Sequence, residues 1–253
     1  MITAIILTKN EEKNIIDCIE SVLFCDEVIV LDDDSSDRTL DVIGKYFGNN
    51  RKINILKRKV EGDFAKQRNY ALDRAKGDWA LFIDADERIP QLLKKEIIYK
   101  IDEFKKVDGF SIKRQNFLWG KPVRFGEFLG EKRIRLGRKK SGRWVNKVHE
   151  VWDIKGEVQT LSNPMLHYPH QSLNEFLKKI NFYSNIRAKE LYDAGIKTNI
   201  LKIVLYTKLK FFYNYIIKLG FLDGVRGLII ALLMSFNSFL VRGKLWKMQK
   251  SQN

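Results

Sequence analysis

The chain reads as an α/β protein: a Rossmann-like, mostly parallel sheet flanked by helices, followed by basic amphipathic helices. Three observations predict this. Short apolar runs of strand length alternate with stretches of helical periodicity through the first hundred or so residues, as parallel sheets require. Acidic clusters follow two of those runs, at the carboxyl ends where open α/β sheets bind ligands. Residues 197–253 then turn apolar and cationic together, with ten Lys/Arg and one acid.

Each element has its own signal. Residues 3–8 form the first strand; Lys9-Asn10-Glu11-Glu12 leads into a helix with Ile15, Ile16, Ile19, Val22 and Leu23 on one stripe. Residues 27–31 make a second buried strand, closed by Asp32-Asp33-Asp34-Ser35-Ser36-Asp37. A helix over 39–47 leads to a third strand at 52–56, and Asp63 suits the N-cap of a helix over 64–75. The fourth strand, 80–83, ends abruptly in Asp84-Ala85-Asp86-Glu87. Continued extended backbone would set Asp84 and Asp86 on one face, where both carboxylates converge on one hard cation, Mg²⁺ or Mn²⁺. A plain acidic turn is the alternative there, and a turn with a helix cap is the alternative for Asp32 to Asp34. No Gly-x-Gly-x-x-Gly run and no Walker loop occurs, so glycine-cradled phosphate chemistry is not indicated.

Segments 3–14, 28–39 and 78–87 resemble the three N-terminal signatures of family 2 glycosyltransferases, which have the GT-A fold. The resemblance implies that Asp32 and Asp33 contact the uracil and ribose of a UDP-sugar. It also implies that Asp84 and Asp86 bind the metal and the diphosphate. Asp34 stands where many members carry the glycine of Asp-Asp-Gly-Ser, which leaves open which of the two preceding aspartates faces the base. Lys66-Gln67-Arg68-Asn69 resembles the basic segment beside the nucleotide, making Arg68 a candidate base or phosphate contact, with an exposed helix arginine as the alternative. Further on, residues 142–150, ending Val148-His149-Glu150, resemble the V-H-E segment of the lipopolysaccharide-core β-glucosyltransferase group. Residues 219–228 resemble that group's G-F-L-D-G block.

The activity so implied is inverting transfer of a hexose from a UDP-sugar to a membrane glycolipid, the lipopolysaccharide inner core, with glucose carried by resemblance alone. Such transfer needs a base for the acceptor hydroxyl, and Glu150 is the natural candidate if Val148, Val151 and Trp152 give it a partly apolar setting. His149 competes for that role, for acceptor orientation or for the metal. Three other readings stay open. A polyprenyl-phosphate sugar transferase needs no base. A sugar nucleotidyltransferase normally opens with a Gly-rich, Arg-containing loop that is absent here. A non-catalytic binder gives no reason for Asp84 and Asp86.

The 253 residues, 45% apolar, suffice for one enzyme-sized core. We expect a nucleotide-sugar half over 1–110, an acceptor-binding and catalytic half over 111–196, and membrane-associating helices over 197–253. Four prolines and no Ser/Gly linker give no sign of a hinge. The first apolar run is too short for a secretory signal, and Cys18 and Cys25 fit neither a disulfide framework nor a zinc site, so the cytoplasmic side is expected. The net charge of +15 arises from residues 111–147, at +10, and 197–253, at +9, set against a slightly acidic remainder. No nucleic-acid-binding signature accompanies it, so nucleic acid is not an expected partner. Between 109 and 147, Phe110, Phe117, Trp119, Phe125, Phe128 and Trp144 mix with cations, as a phosphorylated sugar acceptor would favour, and Trp144 is the candidate acceptor contact. His167-Tyr-Pro-His170 resembles a loose metal pair with no carboxylate at fitting spacing and reads as a turn with polar histidines, although some GT-A enzymes recruit a downstream histidine to the metal. Residues 227–241 are uncharged between Arg226 and Arg242, short of the ~20 residues a bilayer span needs. Interfacial anchoring of the chain on an anionic leaflet is the expectation, and simple packing on the protein the alternative.

Overall fold

The computed structural model describes residues 1–147, 150–169 and 172–251. Strands and helices alternate as β1 (Ile2–Thr8), α1 (Ile15–Val22), β2 (Glu27–Asp32), α2 (Thr39–Phe47), β3 (Ile53–Lys57), α3 (Phe64–Arg74), β4 (Trp79–Asp84), β5 (Glu87–Arg88) and α4 (Gln91–Glu103). Then follow β6 (Val107–Leu118), β7 (Lys121–Val123), β8 (Lys132–Arg138), β9 (Gly142–Val145), β10 (Val151–Ile154), β11 (Glu157–Thr160) and β12 (Met165–His167). Three long helices complete the chain: α5 (Leu173–Asp193), α6 (Ile200–Phe212) and α7 (Gly224–Lys250).

Two compact units result, one of residues 1–115 and 131–167, the other of 116–130 and 168–253. This differs from the expected boundaries at 110 and 196. The chain passes between the units three times, so no single linker marks the division. In the second unit Leu118 and Val123 pack with Ile230 of α7. There too the Asp223 carboxylate accepts backbone N–H groups of Arg124 and Phe125 at 3.0 and 2.9 Å.

In the first unit the sheet runs β3-β2-β1-β4-β8-β6-β12-β5. β3, β2, β1 and β4 are mutually parallel, and β8 pairs antiparallel with β4. The apolar runs form strands because both faces are covered: every residue of β2 is buried, and β4 is buried from Trp79 to Ile83. Cores lie on both sides of the sheet, one under α1 and α4, the other under α3 and the β9–β10 hairpin. Phe82 is fully buried in the second, an apolar side chain worth about 2–3 kcal/mol there. α3 starts where the sequence predicts: the Asp63 side chain accepts the Lys66 N–H at 2.9 Å.

A glycine pair lets the β9–β10 hairpin lie on the sheet. Gly109 of β6 and Gly137 of β8 are register partners, and a Cβ on either would come within 2.5–2.6 Å of Ile154 Cδ1. A larger residue at either position would force Ile154 to repack against the sheet.

Cys18 and Cys25 are free and buried, and burial pushes the Cys25 thiol up to about 12 and Cys18 well above its ordinary value. Neither forms appreciable thiolate near neutral pH, so a disulfide-exchange reagent is expected to leave both unmodified in the native protein and to titrate both in denaturant. Rapid modification of the native chain would contradict this packing.

Candidate active site

The two acidic clusters lie at one end of the sheet. β1 pairs with β2 on one side and β4 on the other, with Thr8 opposite Asp32 and Leu7 opposite Asp84. Only β1 separates them, two strand spacings or ~10 Å. The strand order reverses direction at β1, the crevice where such sheets take ligands.

The β2 side is a preorganised loop. Asp32 is 1% exposed and accepts the Ser35 hydroxyl and N–H at 2.5 and 3.1 Å. Asp33 accepts the Lys9 ammonium at 2.9 Å and the Val60 N–H at 2.7 Å. Asn10 reaches across to the same loop, accepting the Ser36 N–H at 2.7 Å. Asp34 has φ +58°, a left-handed conformation that glycine adopts freely and aspartate tolerates. That explains how it can occupy a glycine position; its carboxylate turns outward to Lys59 at 2.8 Å.

The β4 side differs from expectation. The strand stops at Asp84, and Ala85 and Asp86 form a turn, so the extended geometry that would align the two aspartates is absent. Both Asp84 oxygens meet arginines: Oδ1 accepts from Arg68 at 3.2 Å, Oδ2 from Arg114 at 3.0 Å and Arg135 at 2.6 Å. Burial disfavours its charge, but Arg135, Arg68 and Arg114 outweigh that and hold the carboxyl well below the usual range. Glu87, fully buried, accepts the Asp84 N–H at 2.8 Å and pairs with Arg114 and Arg135. Burial lowers the basicity of both arginines, and Asp84 and Glu87 more than reverse it, so both pKa values are raised.

Asp86 faces a different partner. His167 Nε2 of β12 lies 3.5 Å from its Oδ2. The register of β12 on β5, with His167 opposite Glu87, brings it there. His167 is therefore a strand residue at the site, in place of the expected turn histidine. His170 falls outside the described residues. The Asp86–His167 pair, one hard oxygen and one imidazole, suits Mn²⁺ or Mg²⁺ if phosphate oxygens and water complete the shell. Among the described residues no third His, Cys, Asp or Glu joins them. Asp84, committed to arginines, is a poor direct ligand by the same geometry.

Arg68 is neither an exposed helix arginine nor turned toward the β2 loop. It is 6% exposed and bridges two carboxylates, Asp84 and Glu150, whose Oε1 accepts its Nε–H at 3.0 Å. The guanidinium lies 4.6 Å over the Trp144 ring. Trp144 itself is 6% exposed, stacked on Trp152 at 5.5 Å and edge-on to Phe82 at 4.9 Å. The side chain expected to touch acceptor thus belongs to the core and seats Arg68. Its backbone is clamped by the Asn69 side chain in both directions, at 2.8 and 3.0 Å. Glu150 does not have the expected apolar setting: Val151 is half exposed, Trp152 turns into the core, and Arg68 is its partner. Val148 and His149 fall outside the described residues.

Arg114 and Arg135 had no sequence signal, whereas Glu87 closes the acidic run and His167 belongs to the His167–His170 pair. Arg114 and Arg135 reach Asp84, and His167 reaches Asp86, through strand pairing across the later half of the sheet rather than through local spacing.

A mixed sheet, parallel through its first four strands, with an acid-lined crevice at its switch point, two loops of carboxylates and a carboxylate on an apposed hairpin has the architecture of the GT-A fold. The glycosyl transferase family 2 model matches residues 3–149, and the chain belongs to that family. Among curated relatives, the lipopolysaccharide core biosynthesis glycosyltransferase LpsC of Rhizobium meliloti is 27% identical over 97% of this chain and 92% of its own length. A glycosyltransferase of Rickettsia conorii with no assigned substrate is 30% identical over 96% of this chain and 89% of its own. The crystal structure of Staphylococcus aureus TarS 1-349 in complex with UDP superposes with TM-score 0.51 at 18% identity, covering all of this chain and 92% of that one, which supports the fold.

Proposed function

We propose that the chain is a metal-dependent, inverting hexosyltransferase that moves a sugar, glucose by resemblance, from a UDP-sugar to a glycolipid of the lipopolysaccharide inner core on the cytoplasmic face of the membrane. The observation carrying this reading is the convergence of the Asp32–Asp33 loop and the Asp84–Asp86 turn on one end of the sheet, with Glu150 joined to Asp84 through Arg68. Support for the donor comes from S. aureus TarS, solved with UDP and with UDP-GlcNAc. Support for the acceptor comes from LpsC, named for lipopolysaccharide core biosynthesis.

Asp32 and Asp33 hold the uridine, and Lys9 beside Asp33 balances their charge. Asp86 and His167 would hold the metal, which when bound supplies positive charge to the departing diphosphate. Glu150, held by Arg68 in place of the apolar setting expected of it, takes the proton of the acceptor hydroxyl as that oxygen forms its bond to the anomeric carbon; the bond from that carbon to the UDP oxygen breaks, and UDP leaves with the electron pair. Arg68 fixes the Glu150 rotamer, and Arg114 and Arg135 keep Asp84 in place against Arg68. His149 keeps its place as an alternative base.

The test is UDP release from a panel of UDP-sugars with isolated core lipid, with Mn²⁺ and with a chelator. Metal-dependent release stimulated by core lipid is the expected result; equal turnover in chelator would sink the metal assignment. Asp86→Ala and His167→Ala are each expected to weaken Mn²⁺ activation by about 10–100-fold or more, measured as the Mn²⁺ concentration at half-maximal rate. An unchanged value for His167→Ala would remove that residue from the site.

A further inference from the structure

Residues 220–250 are long enough to cross a bilayer and include an 18-residue stretch of mean hydropathy 1.8. Their surroundings argue against a crossing. α7 packs against both α5 and α6, burying Ile230, Ala231, Val241 and Leu245. Two of its polar side chains reach those helices: the Ser235 hydroxyl donates to Thr207 O at 2.7 Å, and the Lys244 ammonium to Asn181 O and Ser184 Oγ at 2.9 and 2.7 Å. α5 carries Glu175, Lys178, Lys179, Arg187, Lys189, Glu190 and Asp193. A spanning α7 would draw its partner α5, with those ions, into hydrocarbon.

α6 is the opposite case: none of its residues is buried. Leu201, Leu205, Leu209 and Phe212 recur at helical spacing and are 48–69% exposed. The exposed apolar run continues past the helix through Ile216, Ile217, Phe221, Leu222 and Val225. Soluble surfaces rarely leave so long a run in water. Charge decides what covers it. Residues 197–253 hold ten cations and one acid, Asp223, whose carboxylate is occupied by the Arg124 and Phe125 N–H groups. A second copy would bring cations against Lys202 and Lys208, both exposed on α6, with no acids from this segment to meet them.

We infer that α6 and the turns after it lie in the headgroup region of an anionic phospholipid leaflet, apolar row inward, while α7 stays packed on α5 and α6 and does not span. Leucines and Phe212 enter the acyl boundary, and Lys202 and Lys208 reach the phosphates along their own methylene stems. This goes with the glycolipid reading of the acceptor, but binding and transfer are measured separately. The full chain is floated with vesicles of phosphatidylcholine alone and of phosphatidylcholine with phosphatidylglycerol. Flotation is expected only with phosphatidylglycerol, falling in high salt. L205E/L209E, at two exposed positions, is expected to lower the partition about tenfold or more while circular dichroism and metal-dependent UDP-sugar hydrolysis stay as in the parent chain. The inference is overturned by equal binding to neutral vesicles or by an L205E/L209E variant that floats normally. A dimer dissolved by L205E/L209E without vesicle binding would assign the face to a second copy, and resistance to alkaline carbonate would make α7 a span. Transfer to detergent-dispersed core lipid without flotation defeats this inference alone; flotation without transfer defeats the proposed function alone.

Discussion

Glu150→Gln is expected to lower sugar transfer by about 10²–10⁴-fold while donor affinity stays within a few-fold. The amide keeps the size of the side chain and an oxygen that accepts from Arg68 Nε, so the Arg68 bridge to Asp84 at 3.2 Å survives. What it removes is the lone pair able to take the acceptor proton. A kcat loss with unchanged UDP-sugar binding by calorimetry therefore separates a base from a residue that merely orders the site. Near-normal turnover would point to an acceptor that arrives ionised, as polyprenyl phosphate does, or to His149 as the base; His149→Ala in the same assay distinguishes the two.

The first four strands and both acidic loops were legible because their signals are local. The buried apolar runs of β2 and β4 and a turn rich in Asp and Ser need no knowledge of the rest of the chain. The backbone geometry was misread at one point: the spacing of Asp84 and Asp86 says nothing of where β4 ends, and Ala85 and Asp86 lie in a turn rather than in extended chain. Trp144 misled because an aromatic among cations looks alike in a sugar site and in a core that seats an arginine. Its partner was in the sequence all the same, since Trp152 lies opposite it across a short hairpin. Arg114 and Arg135, 30 and 51 residues beyond Asp84, depend on antiparallel pairing in β6 and β8, and no spacing rule reaches that far. The segment 116–130 reads as part of the acceptor half, yet it belongs with the C-terminal helices because Asp223 caps it and Ile230 packs on it.

Arg135→Leu is expected to destabilise the first unit by about 3–5 kcal/mol, the cost of stranding buried carboxylates. Arg135 is 3% exposed and Glu87 fully buried; Asp84 also loses its shortest ion pair, at 2.6 Å. Arg114 and Arg68 remain, but Arg114 is shared with Glu131 and Arg68 with Glu150. Arg135→Lys keeps the charge and loses the fork, and should fall between the parent and the leucine variant. Urea unfolding followed by tryptophan fluorescence reads the change, since Trp79, Trp144 and Trp152 all lie in this unit. The pH dependence gives a second readout. Asp84 has its pKa depressed in the folded state, so its contribution is present above the unfolded value of about 3.9 and is lost as pH falls through the lower folded value. Removing Arg135 raises the folded value toward the unfolded one, so the acid loss should begin at higher pH in the variant. A leucine variant with parental urea midpoint and parental acid limb would show that Arg114 and Arg68 suffice to hold Asp84, and that Arg135 contributes nothing to the site.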